Sequence, residues 1–375
     1  MKKNTSEPWV QDILEWFQKN KRDLPWRKDR SPYKVWISEI MLQQTRVNAV
    51  IPYYNRFLEH YSTVESLAES SLEDLYRLWE GLGYYSRAKN MHLTAKMILQ
   101  KYYGVFPNTY KELVQLPGIG DYTASAIMSL AYNRSYPAVD GNVLRFISRL
   151  KNDASDIKSP AFVKNVRLYL QELVPAGQAR NFTEALMEFG SLLCVPKQPI
   201  CDICPISSNC SAYIDGNQNN LPVKKEKSKS PVLDILVAVI EQQDNILIAK
   251  RQETGLLADL YEFPVFPLTS KKDFVKSLKL FLHTRGIFTS YSVEYQGKVK
   301  HEYSHQIWNS KVYCIKLLQD DIPVHGLREA SSEYVTGQDN SGKKEKKKEF
   351  FWVKKQETKN YPISRFFRKV EELLR

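Results

Sequence analysis

The sequence predicts two domains of different class: a mostly α-helical N-terminal domain and a smaller C-terminal α/β domain. Three observations carry this. Up to about residue 221 the apolar residues recur mainly at helical spacing. Between Leu221 and Pro231, Lys224, Lys225, Lys227 and Lys229 stand between prolines, which is a linker by composition. Beyond it the apolar runs become short and strand-like, as in Ile235 to Ile240 and Ile246 to Ala249. A chain of 375 residues can bury two cores, and the expected division is 1–221, a linker at 222–231, and 232–375.

The formal net charge of +12 suits a polyanionic partner. No apolar run reaches the length of roughly 18 residues that a membrane span needs, so no membrane partner is expected. The segment Met1 to Pro8 lacks the apolar centre of a signal peptide, and a cytoplasmic, nucleoid-associated protein is expected. Four of the five cysteines fall within Cys194 to Cys210, which in a reducing compartment points to metal rather than disulfides.

In chain order, Trp9 to Gln18 has helical apolar spacing at Trp9, Val10, Ile13, Leu14, Trp16 and Phe17. Leu24-Pro25-Trp26-Arg27 breaks it, and Ser31-Pro32 predicts an N-cap with proline at the first helical position. The helix it starts, Tyr33 to about Gln44, places Glu39 on a face with Val35, Trp36 and Leu42. Such a carboxylate is either desolvated, which raises its pKa, or stands at the edge of the face and reaches water. Helices follow at Ile51 to His60, Ser71 to Glu80 and Ala88 to Lys101, with the turn Gly81-Leu82-Gly83-Tyr84-Tyr85-Ser86-Arg87 between the last two.

Leu116-Pro117-Gly118-Ile119-Gly120-Asp121-Tyr122 separates a short helix, Tyr110 to Gln115, from a second, Tyr122 to Ala131. The two glycines permit either a hairpin whose N–H groups bind a phosphate or a plain glycine cap and turn. Asp140-Gly141-Asn142 precedes a helix at Val143 to Leu150, so Asp140 is placed as an N-cap. The helix dipole is expected to lower its pKa, leaving Glu39 neutral and Asp140 charged. Asn181 to Met187 predicts a helix carrying Glu184.

Cys194-x6-Cys201-x2-Cys204-x5-Cys210 follows, stiffened by Pro196, Pro199 and Pro205. Four thiolates in one loop suit a [4Fe-4S] cube. A four-cysteine zinc site usually has two C-x2-C pairs, and here there is one.

In the second domain Gln242-Gln243-Asp244-Asn245 joins two strands as a hairpin. Lys272 to His283 predicts a helix, Tyr291 to Lys300 and Ile307 to Leu318 predict strands, and the spacing from Ile363 to Leu374 predicts a last helix. Ser331 to Lys348 is polar and lysine-rich and reads as a flexible insertion at about 331–349. Cys314 reads as a small buried residue.

Leu-Pro-Gly-x-Gly followed by Val-Asp-Gly-Asn-Val resembles the helix-hairpin-helix DNA glycosylase superfamily of endonuclease III. Within it the MutY family of adenine DNA glycosylases is the nearest in pattern. Ile37-Ser38-Glu39-Ile40-Met41-Leu42-Gln43-Gln44-Thr45-Arg46-Val47 resembles that family's most characteristic stretch, and the cysteine spacing is similar to its iron–sulfur loop. The resemblance runs from Leu24 to about Lys316.

The resemblance implies a helix-hairpin-helix glycosylase domain with the hairpin at about 110–132 and a [4Fe-4S] loop at 194–210, held by Cys194, Cys201, Cys204 and Cys210. It implies a Nudix-like C-terminal domain, since Gly255 to Pro264 matches a segment of that domain. The Nudix hydrolase signature is absent after Pro264, so lesion recognition is expected, not pyrophosphate cleavage. It further implies that Glu39 protonates adenine and that Asp140 stabilises the sugar cation, with Tyr122 and Asn142 close by. Trp26, Arg27, Leu42 and Glu184 would line the adenine pocket. Gln44, Thr45, Leu82, Tyr84, Leu116, Gly118 and Gly120 would meet the DNA. Tyr303, Ser304 and His305 would sense 8-oxoguanine, with Tyr303 where the family usually has phenylalanine.

The expected activity is monofunctional removal of adenine from A:8-oxoguanine or A:G pairs in duplex DNA, by base flipping and acid-catalysed hydrolysis. A monomer is expected. One alternative is a glycosylase–lyase of the endonuclease III type, but Tyr122 stands where that family has its Schiff-base lysine. Another is an iron–sulfur protein that binds DNA without cutting it, against which Glu39 and Asp140 both speak.

Overall fold

Serine and threonine side chains cap five of the described helices, fixing where those helices begin. The computed structural model describes residues 7–225, 230–268, 271–318 and 348–374. Linker residues 226–229 and insertion residues 331–347 lie outside the described residues. Helices run α1 Pro8–Asn20, α2 Pro32–Leu42, α3 Val47–His60, α4 Val64–Glu69, α5 Leu72–Trp79, α6 Tyr85–Tyr102, α7 Tyr110–Leu113, α8 Asp121–Ala126, α9 Gly141–Leu150, α10 Pro160–Leu173, α11 Ala179–Leu192 and α12 Ser211–Ile214. Ser31 caps α2 through Lys34 N, as Ser-Pro predicts. Ser159-Pro160 repeats the same signal at α10, a helix the apolar periodicity alone does not announce.

Two compact units form, and they do not follow the linear order. The first holds Met1–Ser70 and Lys89–Lys227; the second holds Ser71–Ala88 and Ser228–Arg375. In the first, α1, α9, α10 and α11 share a core around Trp9, Phe17, Phe146, Phe182 and Phe189. Trp9 meets Phe146 edge-on at 5.7 Å. Gly190 on α11 is needed because a Cβ there would lie 2.8 Å from Asn142 Cβ and 2.9 Å from its carbonyl oxygen. The two helices therefore close tightly beside the Asp140 turn.

The second unit is built on a mixed sheet of β1 Val232–Gln242, β2 Asn245–Lys250, β3 Tyr261–Glu262, β4 Val265–Pro267, β5 Tyr291–Glu302, β6 Ile307–Leu317 and β7 Phe350–Lys354, with α13 Lys271–His283 and α14 Arg365–Glu372. The path is β3-β2-β1-β6-β5, with β4 on β1 and β7 on β2, and β1 runs parallel to β6. Alternation in β1 divides the two faces. Ile235, Val237 and Val239 face α14 through Phe366, Phe367 and Val370. Leu236, Ala238 and Ile240 face α13 through Phe274, Leu278 and Phe281. The expected hairpin is present, with Gln243 at φ 53° in its turn. Strands β3, β4 and β7 are too short or too local to show a period of two in the sequence.

Candidate active site

Glu39 is the fourth residue from the end of α2, among fully buried Trp36, Ile37 and Ile40, and is itself 5 % exposed. Tyr122, at the start of α8, donates its hydroxyl to Glu39 Oε2 at 2.7 Å. Burial pushes the Glu39 carboxyl up to about 7; the Tyr122 hydrogen bond opposes this, and the charges of Asp140 and Glu184 add to it. Burial likewise raises the Tyr122 phenol well above its usual value, helped by Glu39 and Asp140. Of the two readings open for Glu39 in the sequence, the structure selects the desolvated acid.

Asp140 caps α9. Its Oδ1 accepts from Asn142 N at 3.0 Å and Val143 N at 2.9 Å, and its Oδ2 accepts from Asn142 Nδ2 at 2.7 Å. The cap is as expected, but the expected lowering of its pKa is corrected. Burial raises the Asp140 carboxyl, and the hydrogen bonds from Val143 and Asn142 only partly offset that. The dipole argument from sequence omits desolvation, which is the larger effect here. Asn142 Oδ1 in turn accepts from Arg145 Nη2 at 3.0 Å, which also reaches Gly190 O, while Arg145 Nε reaches Cys194 O at 2.8 Å.

Of Trp26, Arg27, Leu42 and Glu184, two meet in an ion-pair cluster, Arg27 and Glu184. Trp26 is buried and meets Tyr54 edge-on at 5.5 Å, and Leu42, the last residue of α2, is half-buried. Glu184 is buried, with Arg30 Nη1 at 3.0 Å and Arg27 Nε at 3.6 Å from its Oε1. Arg27 spends most of its donors elsewhere: Nη1 on Arg22 O at 2.7 Å and Nη2 on Glu188 Oε2 at 3.0 Å. Glu188 is absent from the sequence-derived set. Burial opposes its ionisation, yet hydrogen bonds from Arg22 and Arg27 bring it down to about 2. Its position four residues after Glu184, on the same face of α11, is the signal that could have found it. The arginines at Arg22 and Arg30, which flank Arg27, carried no such pattern.

The hairpin is a type II turn. Ile119 N donates to Leu116 O at 3.1 Å, Pro117 takes the second position, and Gly118 takes the third at φ 74°. A Cβ on Gly118 would stand 2.7 Å from Asn90 Cβ, and Thr94 Oγ1 donates to Pro117 O at 2.7 Å. Leu116 is buried, whereas Gly120 is extended, caps α8, and has nothing within 4 Å of its Cβ position. Gln44 is exposed at φ 58°, beside half-buried Thr45, and Gln43 Nε2 donates to Thr123 Oγ1 at 3.3 Å.

Leu82 and Tyr84 belong to the second unit. Leu82 is buried; Tyr84 is 42 % exposed and at φ 52°, with the Arg87 guanidinium 5.1 Å from its ring. Tyr303, Ser304 and His305 form the turn between β5 and β6, closed by Tyr303 N donating to Gln306 O at 2.8 Å. Ser304 and His305 are exposed. The Tyr303 ring instead packs edge-on against Trp308 at 5.1 Å and His301 at 4.5 Å. It belongs to the wall of the domain, and Ser304 and His305 are the exposed residues of the turn.

Cys194, Cys201, Cys204 and Cys210 are free thiols that line one cavity, with Phe146, Phe189, Leu193, Ile200 and Ile206. Among the described residues no three His, Cys, Asp or Glu side chains close on a single-ion position. The four thiols instead ring an apolar space, which fits a group bonded at its corners. Burial raises the thiols of Cys201 and Cys210 and pushes Cys204 up to about 12, a cost that a bound cationic centre removes by taking thiolates. Fully buried Arg149 braces the loop through Val195 O at 2.7 Å, Pro196 O at 3.0 Å and Leu221 O at 3.0 Å.

A buried acid facing a capped aspartate, next to a glycine hairpin, is the arrangement of a base-excision glycosylase. Residues 37–175 match the HhH-GPD superfamily of base excision DNA repair proteins, and residues 236–373 match the NUDIX domain. The chain is 30 % identical to a thermostable thymine-DNA glycosylase of known structure, with TM-score 0.50, over 55 % of this chain and 95 % of that one. It is 38 % identical over 255 residues to the adenine DNA glycosylase of Buchnera aphidicola subsp. Acyrthosiphon pisum, covering 68 % of this chain and 73 % of that protein. It is 30 % identical over 420 residues to that of Schizosaccharomyces pombe, covering 92 % and 85 %. The chain belongs to the adenine DNA glycosylase family, the MutY type of base excision repair enzyme. Members of the superfamily commonly bind a [4Fe-4S] cluster. Among the described residues no helix is long and apolar enough to cross a membrane.

Proposed function

We propose that this enzyme removes adenine paired with 8-oxoguanine, and more slowly adenine paired with guanine, from duplex DNA. The observation that carries the reading is Glu39, buried, hydrogen-bonded by Tyr122, and poised to be protonated near neutral pH. Adenine is a poor leaving group until a ring nitrogen is protonated. A carboxyl with pKa about 7 holds that proton at working pH and releases it readily. As the glycosidic bond breaks, the sugar becomes oxocarbenium-like, and Asp140 supplies the opposing charge. Its three hydrogen bonds from Asn142 and Val143 fix both oxygens, so little reorganisation is needed. Water completes the hydrolysis. Tyr122 in place of a lysine supports simple hydrolysis without strand cleavage.

The Gly118–Gly120 turn supports phosphate binding, since its extended Gly120 opens the N-terminus of α8. Cys194, Cys201, Cys204 and Cys210 would hold a [4Fe-4S] cluster, whose part when bound is to order the loop through iron–thiolate bonds. Ser304 and His305, exposed on their turn, suit reading of the opposite base. 8-Oxoguanine carries a donor at N7 where guanine has an acceptor, and a serine hydroxyl accepts from it. The test is single-turnover cleavage of duplexes with A:8-oxoguanine, A:G, A:T and oxidised pyrimidines, with and without alkali. The reading expects cleavage of the first two, only after alkali. Excision of oxidised pyrimidines, or nicking without alkali, would replace it with the endonuclease III reading.

A further inference from the structure

Helix α5 and the loop after it lie early in the chain, yet they belong to the same compact unit as the C-terminal sheet. Side chains at both ends of α5 account for this. At its start, Glu73 Oε1 accepts from Lys250 Nζ at 2.8 Å and from the Tyr261 hydroxyl at 2.9 Å. Past its end, Glu80 Oε1 accepts from Arg368 Nε at 2.7 Å, and Glu80 Oε2 from Arg368 Nη2 at 3.3 Å. This is a two-pronged contact to a guanidinium only 19 % exposed.

Glu80 is the root of the turn that carries Leu82 and Tyr84. That turn is itself fixed. Trp79 Nε1 donates to Gly83 O at 2.9 Å, Arg87 Nη2 donates to Gly83 O at 3.1 Å, and Gly81 and Gly83 stand at φ 95° and 74°. Arg368 lies on α14, and two residues before it Phe366 packs on Trp308 at 5.1 Å and His301 at 6.2 Å. Those two rings lie at the base of the turn that carries Ser304. One short helix thus touches the supports of both turns.

We propose that Arg368 is a positioning residue: through Glu80 on one side and its helix neighbour Phe366 on the other, α14 holds the Tyr84 turn and the Ser304 turn as one lesion-reading body. The proposal rests on the A:8-oxoguanine reading above. Glu80 and Arg368 belong to the second unit, whereas Glu39, Tyr122 and Asp140 belong to the first, so loss of Glu80 or Arg368 should alter discrimination more than the chemical step.

The experiment is single-turnover excision by the full-length enzyme from A:8-oxoguanine and A:G duplexes. Wild type, Arg368→Ala, Arg368→Lys, Glu80→Gln, the double variant Arg368→Ala with Glu80→Gln, and Glu371→Gln are compared, each with its thermal midpoint. Arg368→Ala and Glu80→Gln should each cut the preference ratio by about threefold to thirtyfold. In the ratio the two should not add when combined, because both remove the Glu80–Arg368 contact; the bonds of Arg368 to Thr358 O and Tyr361 O are lost only in Arg368→Ala and should show in its thermal midpoint. Arg368→Lys keeps the charge without the two-pronged contact and should recover part of the ratio. Glu371→Gln removes the other carboxylate on Arg368, 2.9 Å from Nη1, and should leave the ratio unchanged. A ratio that survives Arg368→Ala while wild type discriminates overturns the proposal alone. So does an equal fall in Glu371→Gln, or a double variant whose loss of ratio is the full product of the two single losses. A wild-type ratio of one overturns the A:8-oxoguanine reading and the proposal with it.

Discussion

Glu39 shows what burial does to one side chain. With a folded pKa raised from 4.5 to about 7, the carboxyl is stable in the fold as the neutral acid. Its stabilising contribution is fully present below pH ~4.5, declines above it, and is lost as pH rises through about 7. The difference corresponds to on the order of 3 kcal/mol at pH 8. Glu39→Gln keeps an acceptor for the Tyr122 hydroxyl and cannot ionise. It should therefore melt higher than wild type at pH 8 and nearly the same at pH 4.5, while excision falls by roughly 10²-fold or more. Calorimetry at the two pH values, beside single-turnover rates, checks this, and equal midpoints at pH 8 would show that Glu39 is not desolvated. Wild-type excision should likewise decline as pH rises through about 7, as the donating proton is lost.

At the scale of elements, the two hairpin glycines have different reasons to be glycine. Gly118 needs its positive φ, and a Cβ there meets Asn90. Gly118→Ala should cost about 1–3 kcal/mol of stability. Gly120 has an ordinary extended backbone and open space at its Cβ position, so Gly120→Ala should cost only the weaker N-cap of alanine, about 0.5–1 kcal/mol, and less than Gly118→Ala. If that open space is where a phosphate approaches, Gly120→Ala will still weaken binding to duplex DNA. Titration by fluorescence anisotropy decides it; wild-type affinity in Gly120→Ala would move the phosphate site elsewhere. The cysteine loop permits a similar separation of roles. Cys201→Ser should lose the yellow-brown absorbance and most of the iron, and lower the melting midpoint, while zinc in place of iron in the wild-type protein would refute the cluster.

For the whole molecule, the two units interleave along the chain. A truncation at Lys227 removes Lys250 and Tyr261, which bind Glu73 on α5, and Arg368, which binds Glu80 just past its end. Leu75, Tyr76 and Trp79 of α5 are almost wholly buried in the full chain. The truncated protein should therefore exchange its α5 amide hydrogens faster and lose the preference for A:8-oxoguanine over A:G. Hydrogen exchange across residues 72–88 measures the first directly. Unchanged protection there would mean that α5 is held by the first unit.

The sequence by itself determined most of what depends on neighbours along the chain. Ser31-Pro32 and the Asp140 cap, the strand at Ile235 to Ile240, and the glycine turn between the helices around Gly118 are local patterns, and each is found where the residues put it. The chemistry of Glu39 and Asp140 was only half legible. Their residue types and helix positions are in the sequence, but their pKa values follow from burial, which depends on elements far along the chain. That is why the dipole argument for Asp140 had the wrong sign. Tertiary structure alone decided that Glu188 holds Arg22 and Arg27, that Tyr303 packs inward while Ser304 stays out, and that α5 joins the C-terminal sheet. In each case the deciding contact spans well over a hundred residues or turns on which face of a ring finds a cavity. No period of two or 3.6 records such a contact, because it is a property of packing in space.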